Sequence, residues 1–183
     1  MKTLIITGGT GGLGSVVVER LRAEYNCVLL THAEVDLEDE ASVRAAVGRV
    51  EAPYGLVHLA GGWAGGMDGE TWRRMIGLNL SASFFVIREV MKRLTKPGRI
   101  VAISSIATRE RNPDAAAYVI SKTGLNVLIE MVAAEVAGTG ITANALLPGT
   151  LDARLRAGVA EGIAFLLSDA AANVNGALIP VTA

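Results

Sequence analysis

Cysteine is nearly absent from this chain: Cys27 stands alone among 183 residues, so no disulfide closes within it and no cysteine-based metal site can be built. It lies in an apolar run, where a small buried hydrophobe is its ordinary role. Histidine is almost as scarce, and two residues scattered among strands make no metal centre. Aromatics reach only 4%, too few for a sandwich built on aromatic packing. Neither sign of charge dominates, and a net charge of −1 leaves no electrostatic footprint for nucleic acid. Long apolar runs are missing too. None approaches the roughly 18 residues of a membrane span, and Leu4–Ile6 is too short for a signal-peptide core, so the expectation is a cytoplasmic protein without a membrane partner.

Glycine, by contrast, is plentiful at 21 residues, and 51% of the chain is hydrophobic. That length and apolar content suit one well-buried core, so residues 1–183 are expected to form a single domain with many tight strand-to-helix turns. Short β-rich apolar runs alternate with longer helical patterns from one end to the other. Strands are expected at Thr3–Thr7, Cys27–Thr31, Val35–Leu37, Gly55–Leu59, Arg99–Ser104, Ile141–Leu147 and Ala177–Val181. Helices are expected over Gly12–Tyr25, Glu40–Val50, Gly69–Leu94, Asp114–Ala137 and Gly158–Ala171. Stacked βαβ units of this kind give a Rossmann-type α/β fold: a doubly wound parallel sheet of about seven strands with helices on both faces, and a ligand crevice at the strands' carboxyl ends.

Glycine clusters fall at two of those ends, Gly8 to Gly14 and Gly61 to Gly66. The first reads TGGTGGLG, with Gly8, Gly12 and Gly14 in the spacing T-G-x-x-x-G-x-G before a helical pattern opened by Val16, Val17 and Leu21. Glycines let the backbone approach a pyrophosphate, and the helix that follows offers unpaired N–H groups and its positive dipole end. A tight connection without a ligand is the alternative, but strand, glycines and helix in that order favour a nucleotide.

Tyr118 and Lys122 lie in YVISK, four apart in a helical pattern, so both side chains leave one face about a turn apart. A phenol with its pKa near 10 is a poor acid or base at neutral pH, and a cation held beside it lowers that value. Lys122 supplies such a charge and can also donate to ribose hydroxyls. Thirteen residues before Tyr118, at the end of the strand GRIVAISS, Ser105 carries a hydroxyl suited to polarising a substrate carbonyl.

These motifs together resemble the short-chain dehydrogenase/reductase family, whose first turn carries this glycine spacing and whose serine, tyrosine and lysine match in register. The resemblance implies an NAD(P)-dependent oxidoreductase that transfers a hydride between the nicotinamide and a small carbonyl, alcohol or imine-like substrate, with Tyr118 as general acid/base and Ser105 stabilising charge on oxygen. It implies that Asn79, in LNLSASFF, orders a water-linked proton path to Lys122; a buried asparagine satisfied by backbone is the alternative. It extends cofactor contacts to Thr10, Gly11 and Leu13 in the first turn, Asp36 at the adenine ring with Leu37, and Ala60, Gly61 and Gly62 after the fourth strand. Pro148, Gly149, Thr150 and Leu151 correspond to the turn around the nicotinamide.

The chain also departs from the family. Only THAE separates the second strand from Asp36, where a further helix is usual. Thr31 and His32 hold the position that normally distinguishes NAD from NADP, and neither decides it. The segment that usually folds over substrate is cut to about LDARLRAG, leaving a site that is open or closed by another subunit. His58 and Leu59 of HLAGG replace two asparagines, with His58 expected to be structural. Trp63, in GGWAGG, is placed to stack on a planar substrate, and that string is similar to the corresponding loop of dihydropteridine reductases, pterin-reducing members of the family. Packing of Trp63 on a neighbouring helix is the alternative. The helices bearing Tyr118 and Phe84–Met91 are apolar almost all round, and they form the subunit contact in the family, which implies a homodimer or homotetramer. A dinucleotide-binding sensor or scaffold without turnover, and an epimerase or dehydratase holding NAD, are the competing functions.

Overall fold

Three strands carry no exposed residue at all. Gly55–His58 (β3), Gly98–Ile103 (β4) and Ile141–Pro148 (β5) are buried end to end in the computed structural model, which describes residues 1–182. Continuous burial is what a parallel sheet covered on both faces requires. With Lys2–Thr7 (β1), Tyr25–Leu30 (β2) and Leu178–Val181 (β6), they form one all-parallel sheet in the order β2-β1-β3-β4-β5-β6. Side chains alternate between its faces, as the period of two dictates. Ile5, Ile100 and Ala102 join one apolar cluster, while Leu4, Ile6, Val101 and Ile103 join the other.

The first cluster is covered by α2 (Glu40–Gly48), α4 (Ala82–Met91) and α6 (Ala116–Glu135). The second is covered by α1 (Gly12–Leu21) and α7 (Ala153–Leu167). Two helices lie off these layers, α3 (Gly69–Ile76) and the short α5 (Ala107–Glu110), the latter not anticipated from sequence. Pro113–Glu135 is long and apolar enough by composition to cross a membrane, but half of its apolar window is buried inside the molecule, where it packs on the sheet.

Six strands are present rather than seven, because Val35–Leu37 is not a strand. The N–H groups of Glu34 and Val35 both return to the carbonyl of Thr31 at 3.0 Å, and the Asp36 carboxylate takes the N–H of Glu38 at 2.9 Å. Local turn bonds thereby use the groups a ladder needs. The helix expected over Gly12–Tyr25 ends at Leu21, so Tyr25 instead enters β2 and stacks on Tyr54 with ring centroids 6.1 Å apart. The helix expected over Gly69–Leu94 is interrupted by a π turn at Gly77–Ser81, closed by the Ala82 N–H on Gly77. The last helix begins at Ala153, five residues before the expected Gly158, because the Asp152 carboxylate caps it through the Leu155 N–H at 2.7 Å. Only residues 149–152 therefore separate β5 from α7, even fewer than the shortened segment suggested.

Candidate active site

The chain runs from β1 through α1 to β2 on one side, then crosses through α2 to β3 on the other, which opens a crevice between the carboxyl ends of β1 and β3. The backbone there is close. Gly8 has φ of +69°, and a Cβ on it would stand 2.7 Å from the Ala60 amide nitrogen. A Cβ on Gly14 would fall on the Gly8 carbonyl oxygen and lie 2.6 Å from the backbone of Gly9. Glycine at both positions is thus a requirement of the turn. It delivers the chain to the N-terminus of α1, where no side chain caps the helix and no acid occupies the first turn. That end faces a cavity of about 570 Å³. A cradle of glycine backbone with uncapped N–H groups suits the pyrophosphate of a dinucleotide.

Every residue assigned above to cofactor binding lines this cavity except Thr150, which lies outside it although Gly149 and Leu151 on either side line it. Ser105, Tyr118 and Lys122 line the same cavity, and so does Trp63. Trp63 keeps 67% of its surface exposed, so it does not pack under a helix. Asn79 is fully buried behind Gly61 and Gly62 rather than in the cavity wall. Sequence reasoning missed Leu78 and Glu38 among the lining residues, since neither carries a local motif.

Lys122 is buried, and its ammonium donates to the carbonyl of Ile103 at 2.9 Å, at the end of β4. One of its three N–H groups is thereby used and two remain. Burial depresses its pKa to about 8. A Cβ on Gly61 would lie 2.8 Å from Asn79 Oδ1 and 2.9 Å from Lys122 Nζ, so both groups converge on that glycine. The Tyr118 phenol is not lowered by the lysine, contrary to expectation: burial raises it, and the Ser105 hydroxyl beside it acts in the opposite sense. Desolvation is the larger of the two causes at the phenol. Ser105 Oγ accepts the N–H of Ala107 at 3.2 Å, which leaves its own O–H to donate.

Asn79 sits inside the π turn, a geometry frequent at functional positions. Its amide pairs reciprocally with Gly62, taking the N–H at 2.9 Å and donating to the carbonyl at 3.0 Å, and it donates to Ser121 Oγ at 3.1 Å. Ser121 in turn donates to the carbonyl of Tyr118 at 2.8 Å. The side chain therefore ties the Gly61–Gly62 loop to the helix of Tyr118.

A second chain of bonds runs behind the site and fixes a tautomer. The Ala60 N–H donates to Thr7 Oγ at 3.3 Å, and Thr7 Oγ lies 2.8 Å from His58 Nδ1. His58 Nε2 lies 2.9 Å from Ser83 Oγ, which donates to the Asn79 carbonyl at 2.7 Å. Because Ser83 has spent its proton on Asn79, it must accept from His58, so the imidazole carries its hydrogen on Nε2 and receives one from Thr7. His58 is fully buried and neutral, its pKa pushed down to about 3 by burial and then by the Lys122 charge. Below pH 6.5 the unfolded chain binds a proton that the folded imidazole refuses, so stability falls as pH drops toward 3. At pH 4.5 that loss is about 3 kcal/mol. Urea unfolding of His58→Gln at pH 7 and 4.5 should show a correspondingly smaller acid loss than wild type; parallel profiles would contradict the assignment.

Among the described residues no group of histidine, cysteine and acidic side chains is arranged to hold a metal ion.

Residues 27–164 match the family model of short chain dehydrogenase. The chain is 35% identical over 177 residues to a 2-dehydro-3-deoxy-L-rhamnonate dehydrogenase (NAD(+)) of Sphingomonas sp. (strain SKA58), covering 81% of this chain and 71% of that one. It is 28% identical over 224 residues to the 3-oxoacyl-(acyl-carrier-protein) reductase MabA of Mycobacterium avium, covering 98% of this chain and 88% of the other. A short chain dehydrogenase family protein of Francisella tularensis shares the fold with a TM-score of 0.89 at 21% identity, over 100% of this chain and 97% of its own. The structure of BdcA in complex with NADPH shares it with a TM-score of 0.87 at 23% identity, over 99% and 93%.

Proposed function

Because the chain belongs to the short chain dehydrogenase family and is an NAD(P)-dependent oxidoreductase, we propose that it interconverts a small carbonyl compound and its alcohol, with Tyr118 passing the proton. The observation that carries this reading is the convergence of Ser105, Tyr118 and Lys122 on the cavity that the Gly8–Gly14 turn opens. When bound, the nicotinamide cofactor supplies the hydride chemistry. The residues of the chain do the rest. The α1 N-terminus and glycine turn hold the pyrophosphate, and Lys122 offers its two remaining N–H groups to ribose hydroxyls. The O–H of Ser105, which also lies beside the Tyr118 phenol, donates to the substrate oxygen and stabilises negative charge there. In the reductive direction the phenol of Tyr118 gives its proton to that same oxygen; in the oxidative direction it takes one. Trp63, exposed at the rim, offers a face for planar substrates such as quinonoid dihydropterin.

The adenosine end favours NAD. Asp36 and Glu38 line the cavity at that end and no lysine or arginine does there, so a 2′-phosphate meets like charge without a cation to hold it. Fluorescence titration should give tighter binding of NADH than NADPH; the reverse order would contradict this assignment. The reaction class is tested by following reduced-cofactor absorbance across ketones, quinones and quinonoid dihydropterin. Turnover of at least one supports the enzyme, and binding without any turnover favours the sensor reading.

Self-association is part of the same proposal. Phe84, Val127 and Met131 leave apolar surface exposed on α4 and α6, the faces that the family uses for its subunit contact. Light scattering should report a homodimer or homotetramer.

A further inference from the structure

α7 follows β5 so closely that its first turn packs against the start of α1, and this places Arg156 where no motif would have put it. The guanidinium carbon and both terminal nitrogens lie 3.5–3.6 Å from where a Cβ on Gly12 would stand. Gly12 is the first residue of α1 and lines the crevice, and Arg156 stands against it from just outside that lining. The nearest acid in sequence, Asp152 at the N-cap of α7, has one carboxylate oxygen on the Leu155 N–H. Ion pairs of the described residues engage Arg20, Arg22, Arg44, Arg88 and Arg99, and leave Arg156 out. Its Nε is buried without a hydrogen-bond partner among them.

That arrangement places no counter-charge beside the guanidinium. A cation is held, partly desolvated, against the positive end of a helix whose first turn carries no acid. An anion lying between guanidinium and helix turns both terms favourable, and a guanidinium matches phosphate oxygens in a planar fork. Gly12 belongs to the glycine turn, whereas the adenosine end is marked by Asp36 and Glu38, so the phosphate concerned is not the one on the ribose.

We propose that Arg156 is a cofactor-binding residue that clamps the dinucleotide pyrophosphate against the N-terminus of α1. This rests on the dinucleotide reading above and adds a residue to it. The clamp arises from the shortening of the segment after β5: the last helix supplies the cation from directly beside the turn.

Calorimetric titration of NADH, NADPH, ADP and adenosine against wild type, Arg156→Met and Arg156→Lys tests it. Methionine keeps an apolar stem of similar reach, and circular dichroism checks that each variant folds. Loss of a charged hydrogen-bonding partner should weaken NADH, NADPH and ADP together by about tenfold to a hundredfold, with adenosine unchanged and lysine recovering part of the loss. Equal affinities in wild type and Arg156→Met would overturn the clamp while leaving the dinucleotide site standing. A loss confined to NADPH would also overturn it, by moving the guanidinium to a 2′-phosphate. If the wild type binds neither dinucleotide, the reading beneath the proposal fails and the clamp fails with it.

Discussion

Replacing Tyr118 with phenylalanine should lower turnover by about 10²–10⁴-fold, the span of a lost general acid or base, while dinucleotide affinity stays at the wild-type level. The split follows from geometry. The phenol lies in the cavity wall beside Ser105, whereas the glycine turn and the Lys122 ammonium on Ile103 are unaffected by loss of one oxygen. Steady-state rates and a fluorescence titration of the same preparation measure both halves. Unchanged turnover would remove Tyr118 from the chemistry, and parallel loss of binding would make its role one of cofactor placement.

Gly14→Ala should separate the opposite way, through the cofactor and the fold. Its methyl would fall on the Gly8 carbonyl and on the Gly9 backbone, atoms that cannot swing aside as a side chain can. Either α1 moves away from the turn or the turn opens, and in both cases the N–H cradle is lost. Overpacking of this kind destabilises by about 1–3 kcal/mol. NADH binding should therefore fall below detection in a protein that still unfolds cooperatively at a lower urea concentration. Wild-type affinity in Gly14→Ala would mean that the turn is only a tight connection and that the ligand reading of it is mistaken.

What could be read from the sequence was what is local. Gly8, Gly12 and Gly14 are a short-range statement about backbone, and Tyr118 and Lys122 are one helical turn apart wherever the helix lies. The alternation of Leu4, Ile5 and Ile6 likewise survives folding as two clusters on two faces. Illegible features depend on partners far along the chain. The π turn is stabilised where Asn79 meets Gly62 and Ser121, contacts that helical periodicity does not encode. Val35–Leu37 has the residues of a strand, yet Val35 returns its N–H to Thr31 and Asp36 gives its N–H to Ser42 Oγ. Asp152 is a capping residue of a type legible in sequence, and it starts α7 at Ala153 rather than Gly158. Arg156 acquires meaning only once α7 is seen against α1, and the proton on His58 only once Ser83 is seen donating to Asn79.

The most direct test is a crystal structure of the protein grown with saturating NADH. It should place the pyrophosphate on the Gly12–Gly14 backbone and the nicotinamide ring within reach of Tyr118 and Ser105. A dinucleotide bound elsewhere, or a ring turned away from the phenol, would contradict the account at its root.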